Sequence, residues 1–190
     1  MAGRAREDRI DAAVLTAARE LLDETGYADL SIGQVATRAG VHRPAIYRRW
    51  PSKRHLVVDV VADLLGRHPT RDTGDLRADL TVAMRNLVAA LRDTSLHRVL
   101  PALVADLANE PALRDHFLAT VFEPRRQTTA TALQSAINRG EIDPDLDMDF
   151  VLDAIAAPIY YRALFGHLPL TDALADQSVA AALRVVAPSR

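Results

Sequence analysis

Cysteine is absent from the 190-residue chain. Disulfides and thiolate metal sites are therefore excluded. No apolar run approaches the roughly 18 residues that would read as a membrane span. The first ten residues, MAGRAREDRI, lack the apolar centre of a signal peptide, so a cytoplasmic protein without membrane contact is expected. Alternating, β-branched runs of strand type do not stand out, and there is no internal repeat or low-complexity tract. Motifs of the common enzymes are missing too. There is no G-x-S-x-G, no H-E-x-x-H, no phosphate-cradling glycine loop and no thiol nucleophile. The six histidines are dispersed. Neither an enzyme nor a resident metal or cofactor is expected, although a helical enzyme and a module that binds only protein remain as competing classes.

One sign of charge is missing locally. Ser31 to His55 contains Arg38, Arg43, Arg48, Arg49, Lys53 and Arg54 but no acid. The whole chain carries a net charge of −2, so this segment is a basic island in an acidic protein, as a nucleic-acid contact would require. The composition otherwise suits a globular protein of one or two domains, with 49% hydrophobic and 25% charged residues.

Apolar periodicity predicts helices throughout. Ile10, Val14, Ala17, Ala18, Leu21 and Leu22 mark an amphipathic helix over Asp8–Thr25, stopped by Gly26. Ser31-Ile32-Gly33-Gln34 has the form of a capping box. It opens a second short helix that ends near Ala39-Gly40. A third should run from His42 or Arg43 to Arg49, stopped by Pro51. Ser52 can cap a fourth helix carrying Leu56, Val57, Val60, Val61, Leu64 and Leu65. After a loop over His68–Gly74, five helical segments fit: Asp75–Asp93, Leu96–Asn109, Pro111–Arg139, Met148–Phe165 and Asp172–Val186. Pro124 should kink the third of these, and Pro158 should bend or break the fourth. The fold class is all-α with about nine helices.

Two short helices joined at Gly40 form a helix-turn-helix, whose second helix enters the DNA major groove. Ile32, Val35, Ala36, Ala39, Val41 and Ile46 would pack it onto the first helix. Pro44 is tolerated because a helix's first turn leaves its N–H groups without intrahelical partners. Ala45 could touch a thymine methyl, and Arg43 either reads guanine through O6 and N7 or holds a phosphate. Tyr47, Arg48 and Lys53 are expected on phosphates, and Trp50 in the packing between the third and fourth helices. The DNA-facing set is Ser31, His42, Arg43, Pro44, Ala45, Tyr47, Arg48 and Lys53.

The stretch ARELLDETGYADLSIGQVATRAGVHRPAIYRRWPSKRHL, within Asp8–Leu56, resembles the N-terminal domain of the TetR (tetracycline-repressor) family. The G-Y stop before S-I-x-x-V-A, the A-G-V turn and the I-Y-x-x-W-x-S-K end carry the resemblance in order. It implies a homodimeric regulator, usually a repressor, of double-stranded operator DNA that responds to a small-molecule effector. The family's recognition contacts fall on His42, Arg43, Pro44, Ala45 and Tyr47, and its phosphate-binding lysine on Lys53. His42 departs from the usual serine or threonine, which leaves it for phosphate or base contact. Arg4 and Arg6 resemble a basic arm in some members; simple disorder of residues 1–7 is the alternative.

The resemblance also divides the chain into a DNA-binding domain over 1–55 and a helical ligand-binding and dimerisation domain over 56–190, with 56–67 as connector. Candidate pocket residues are Met84, Leu87, Leu103, Leu107, Phe117, Val121 and Tyr160, with His97, Asp106, His116 or Arg162 as polar partners. Each of these can equally be core. Ile155, Ile159, Leu164, Leu174, Val179, Leu183 and Val186 are the candidate dimer face, and some of them must be core. Two metal readings fail on spacing or number. Asp143–Asp149 lacks the glycine and glutamate of a calcium loop, and His55, Asp59 and Asp63 at i, i+4, i+8 are a common coincidence.

Overall fold

The computed structural model describes residues 2–66 and 69–185, with side chains from 7 to 66 and from 69 to 184. Arg4, Arg6, His68 and Val186 thus lie outside the described side chains. All described secondary structure is helical. The chain forms two compact units. One comprises Met1–Leu64 with Arg98–Val121, the other Leu65–His97 with Phe122–Arg190.

In the first unit, α1 (Ala2–Asp29) is interrupted at Gly26, whose φ of 79° and ψ of 179° are not helical. The expected stop is real, and a short turn follows it. At its other end the helix begins at Ala2 rather than Asp8. Charged and alanine residues sustain a helix without any apolar stripe to announce it. Val14, Ala17, Ala18, Leu21 and Leu22 form its buried face. Next come α2 (Ile32–Ala39), α3 (Arg43–Tyr47) and α4 (Lys53–Leu65). Leu56, Val57, Val58, Val60 and Val61 are all buried, which makes α4 central to this unit. Such side chains each contribute roughly 1.5–3 kcal/mol on full burial. The helix α6 (Leu96–Asn109) and α7 (Pro111–Phe117) follow later in the chain.

The kink expected at Pro124 takes another form. Leu118–Phe122 is a π-helical turn between α7 and α8 (Glu123–Asn138). Proline brings no N–H and its ring excludes the carbonyl four residues back, here that of Thr120. A wider turn just before it relieves both problems.

In the second unit, α5 (Leu76–Asp93), α8, α9 (Met148–Phe165) and α10 (Asp172–Val185) pack around Leu80, Leu87, Val88, Leu91, Leu133, Ile155, Ile159 and Val179. Ser178 in this core donates to the Ile155 carbonyl at 2.6 Å. Buried Asp79 accepts from the backbone N–H and the hydroxyl of Thr73, which pins the chain ahead of α5. The helix α9 runs unbroken through Pro158. That proline is exposed, so the carbonyl freed by its missing N–H can be hydrated.

Candidate nucleic-acid interface

Ser31 caps α2 as the sequence predicts. Its hydroxyl accepts from the Gln34 N–H at 3.3 Å and donates to Gln34 Oε1 at 2.7 Å. Gly40 closes the helix in the left-handed region, with φ 65° and ψ 33°. A side chain there would strain the turn. Val41 then donates to the Ala36 carbonyl at 3.0 Å, tying the turn to α2. The helix α3 is only five residues long, two short of the expected Arg49. The backbone N–H groups of Arg49 and Trp50 still bond back to Ile46, so the last turn tightens rather than opens before Pro51.

One side of α3 is fixed by Ile46, which is fully buried. His42, Arg43, Pro44, Tyr47 and Arg48 are exposed, and Ala45 is half-buried. Trp50 turns inward. It is 2% exposed, and its indole Nε1 donates to Asp59 Oδ2 at 2.8 Å. The other Asp59 oxygen lies 2.9 Å from His116 Nε2, and the His116 and His55 rings stand 5.4 Å apart. Burial first, then repulsion from His116, holds the His55 pKa below the usual histidine value. Asp59 and His116 are thus joined to Trp50 in one hydrogen-bonded chain. Among the described residues, no group of three or more His, Asp or Glu could hold a metal.

The six basic residues of the island divide sharply. Arg38 makes a two-pronged pair with Glu24 at 2.6 and 2.8 Å. Arg49 lies 3.3 Å from Asp11. Arg54 reaches Asp106 at 2.9 Å and Glu110 at 3.1 Å. The ammonium of Lys53 points at the carbonyls of Tyr27, Ala28 and Leu30, at 3.2, 2.9 and 3.1 Å. Only Arg43 and Arg48 keep their donors without a hydrogen bond or ion pair among the described residues. Both belong to the α3 surface, next to His42 and Tyr47.

Lys53 has three N–H donors, and three carbonyls face them. A phosphate contact of the expected kind would take one of these donors from the end of α1. Tyr27 extends the same network. Its ring lies under the Lys53 ammonium, and its hydroxyl donates to Asp106 at 2.5 Å. Burial and that carboxylate push the Tyr27 pKa far above the usual tyrosine range. Lys53→Met keeps the aliphatic stem and removes the charge. It should lower stability to denaturant by about 1.5–3 kcal/mol, the worth of hydrogen bonds to a charged donor. An unchanged unfolding midpoint would show that the cap is not structural.

The residues proposed for an effector pocket fall in both units. Leu103, Asp106, Leu107, Phe117 and Val121 belong to the first, and Met84, Leu87, His97 and Tyr160 to the second. Leu103, Val121, Met84 and Leu87 are buried. All four polar candidates already have partners. Asp106 is held by Tyr27 and Arg54, and His116 by Asp59. His97 is exposed beside the Thr94 carbonyl, and Arg162 donates to that of Pro169. An open groove of about 440 Å³ in the second unit, lined by Leu76, Arg77, Glu141, Ile142 and Leu183 among others, contains none of the expected pocket residues.

Of the candidate dimer residues, Ile155, Ile159, Leu174 and Val179 are buried within the second unit, while Leu164 and Leu183 are half-buried. The large apolar side chains exposed on α9 and the loop after it are Phe150, Tyr161, Phe165 and Leu168. Tyr161 meets Phe165 in a tilted ring contact at 4.9 Å and His167 edge-on at 5.1 Å. Sequence reasoning missed these four. The available signal was that α9 is apolar around most of its circumference, more than one core can cover.

Known proteins share both halves of this arrangement. Residues 14–60 match the sequence model described as bacterial regulatory proteins, tetR family, and residues 70–182 match that of the tetracyclin repressor-like C-terminal domain. The DNA-binding transcriptional repressor TetR of Mycobacteroides abscessus is 30% identical over 180 residues, covering 92% of each chain. The crystal structure of the TetR family transcription regulator SCO0332 superposes with a TM-score of 0.78 at 32% identity, over 94% of this chain and 99% of that one. A transcriptional regulator FadR from Bacillus subtilis, solved in complex with stearoyl-CoA, shares the fold with a TM-score of 0.71 at 18% identity, over 90% and 97% of the two chains.

Proposed function

Since the chain belongs to the TetR family of bacterial regulatory proteins, and so to its DNA-binding transcriptional regulators, we propose that it is an effector-responsive repressor acting in the cytoplasm as a homodimer on a pseudo-palindromic operator. The exposed end of α3 carries this reading, because the cations without partners in the basic island are there. Each α3 enters the major groove. Arg43 reads a guanine through its two-pronged fork, Pro44 and Ala45 give close apolar contact, and His42, Tyr47 and Arg48 meet phosphates or base edges. Ser31, exposed at the start of α2, stands beside the backbone.

Two copies pair through the exposed apolar residues of α9 and the loop after it, Phe150, Tyr161, Phe165 and Leu168, leaving Ile155, Ile159, Leu174 and Val179 to the core of each copy. A small, largely apolar effector binds the helical domain and favours a state in which the two α3 helices no longer match the groove spacing. DNA and effector then oppose each other through one coupling free energy. The stearoyl chain of the stearoyl-CoA in the Bacillus neighbour is in keeping with a ligand that has a large apolar part.

Selection from a pool of random-sequence duplexes tests the DNA reading. The enriched sites should contain two inverted half-sites about one helical turn apart, roughly 34–36 Å, and should bind two copies of the chain. Recovery of no enriched sequence would leave a module that binds only protein as the better reading.

A further inference from the structure

Gly33 is the second residue of α2, where glycine is less favourable to a helix than alanine. Its backbone does not require glycine. Positive φ is found at Gly26, Gly40, Gly66, Gly74, Gly140 and Gly166 but not at Gly33. Gly26, Gly40, Gly74, Gly140 and Gly166 also face open space, with nothing within 4 Å of where a Cβ would stand. Gly33 is the opposite case. A Cβ there would stand 2.6 Å from Arg43 Nη2, 3.2 Å from Cζ and 3.4 Å from Nε. All three atoms belong to the charged head of the arginine, not to its stem.

Arg43 opens α3, yet its guanidinium reaches across the turn to the first turn of α2. No carboxylate holds it there among the described residues. The head occupies the space that a Cβ on Gly33 would fill. A methyl group at position 33 would move it, and the move is easy because the head ends a flexible, exposed side chain. Stability would hardly register the change. Recognition would, because a two-pronged contact with a base tolerates displacements of only a few tenths of an ångström.

We propose that Gly33 is a positioning and specificity-determining residue for DNA recognition: its missing side chain seats the Arg43 guanidinium against α2 and so sets which base-pair edge that arginine meets. The inference rests on the docking of α3 described above.

Four full-length proteins test it: wild type, G33A, R43A and the double variant. Each is titrated at one salt concentration with the duplex selected by the wild type and with its single-base-pair variants. G33A should bind the selected duplex at least about fivefold more weakly, the lower end of a two-pronged contact. Its base preference should change at the same pair that R43A relaxes. It should melt at or above the wild-type temperature, since alanine favours the helix. In the R43A background, G33A should change nothing further, because both act through one contact. Wild-type affinity and preference in G33A would overturn the proposal. So would a loss that persists undiminished in the double variant. If R43A itself binds like wild type, the docking of α3 falls and this inference with it. If R43A is weak and G33A is not, only the seat is refuted.

Discussion

Trp50→Ala should lower stability by about 3–5 kcal/mol, the usual cost of truncating a buried aromatic to alanine. The side chain is 2% exposed, and its backbone N–H bonds to Ile46 at the end of α3. Its loss also strips the Asp59 carboxylate of the indole donor at 2.8 Å, leaving His116 as its hydrogen-bond partner. Domains of this size are often stable by only about 5–15 kcal/mol, so much of the margin would go. Trp50→Phe keeps one aromatic ring in the buried site but removes the N–H together with the second ring, so its cost should be intermediate. Denaturant unfolding should rank the proteins wild type, W50F, W50A in falling stability. Binding of the selected duplex should follow the same order, because the anchor of the end of α3 is being removed rather than a DNA contact. If W50A unfolds like wild type, Trp50 is not the anchor its burial suggests.

Arg43→Ala should leave folding untouched and weaken binding of the selected duplex by roughly 1–3 kcal/mol, about 5- to 150-fold. Arg43 is exposed and has no partner to lose among the described residues. The decisive measurement is affinity across every single-base-pair variant of the duplex. A guanine contact predicts that R43A becomes indifferent at one pair in each half-site and keeps its preferences elsewhere. A uniform loss at every variant would place the arginine on a phosphate. Arg43→Lys should restore little of the preference, because a point charge cannot reproduce the planar fork. Full affinity in R43A would remove α3 from the interface.

Much of the fold was legible because its signals are local. Gly26, Ser31 and Gly40 each mark a boundary through their own local chemistry, and the structure uses all three. The limits of α6 and α9 agree with the apolar periodicity to the residue. The exposed composition of α3 could be read for the same reason, since Ile46 alone among its residues had to be buried.

What could not be read are partnerships across long stretches of chain. Tyr27 finds Asp106 79 residues away, and Arg54 finds Glu110 56 residues away. No spacing rule announces such pairs. Lys53 illustrates the effect, since its charge was visible but the three carbonyls facing it were not. The candidate dimer face shows a second limit. Periodicity identifies apolar stripes but cannot say which is covered by the chain's own neighbours. Ile155 and Ile159 went inward while Phe150, Tyr161 and Phe165 stayed out.

The pairing of Arg38, Arg49 and Arg54 with acids of their own unit, and of Lys53 with the end of α1, has a consequence for the ions around DNA. A duplex carries a condensed layer of counterions, and each phosphate neutralised by protein releases about one of them. Cations already matched inside the protein displace few. On the docking proposed above, the basic island would therefore liberate ions chiefly through Arg43 and Arg48, the two of its six cations without a partner among the described residues. Much less of the affinity then comes from the entropy of released ions than a count of six basic residues would suggest, and correspondingly more from the fit of α3 to its site.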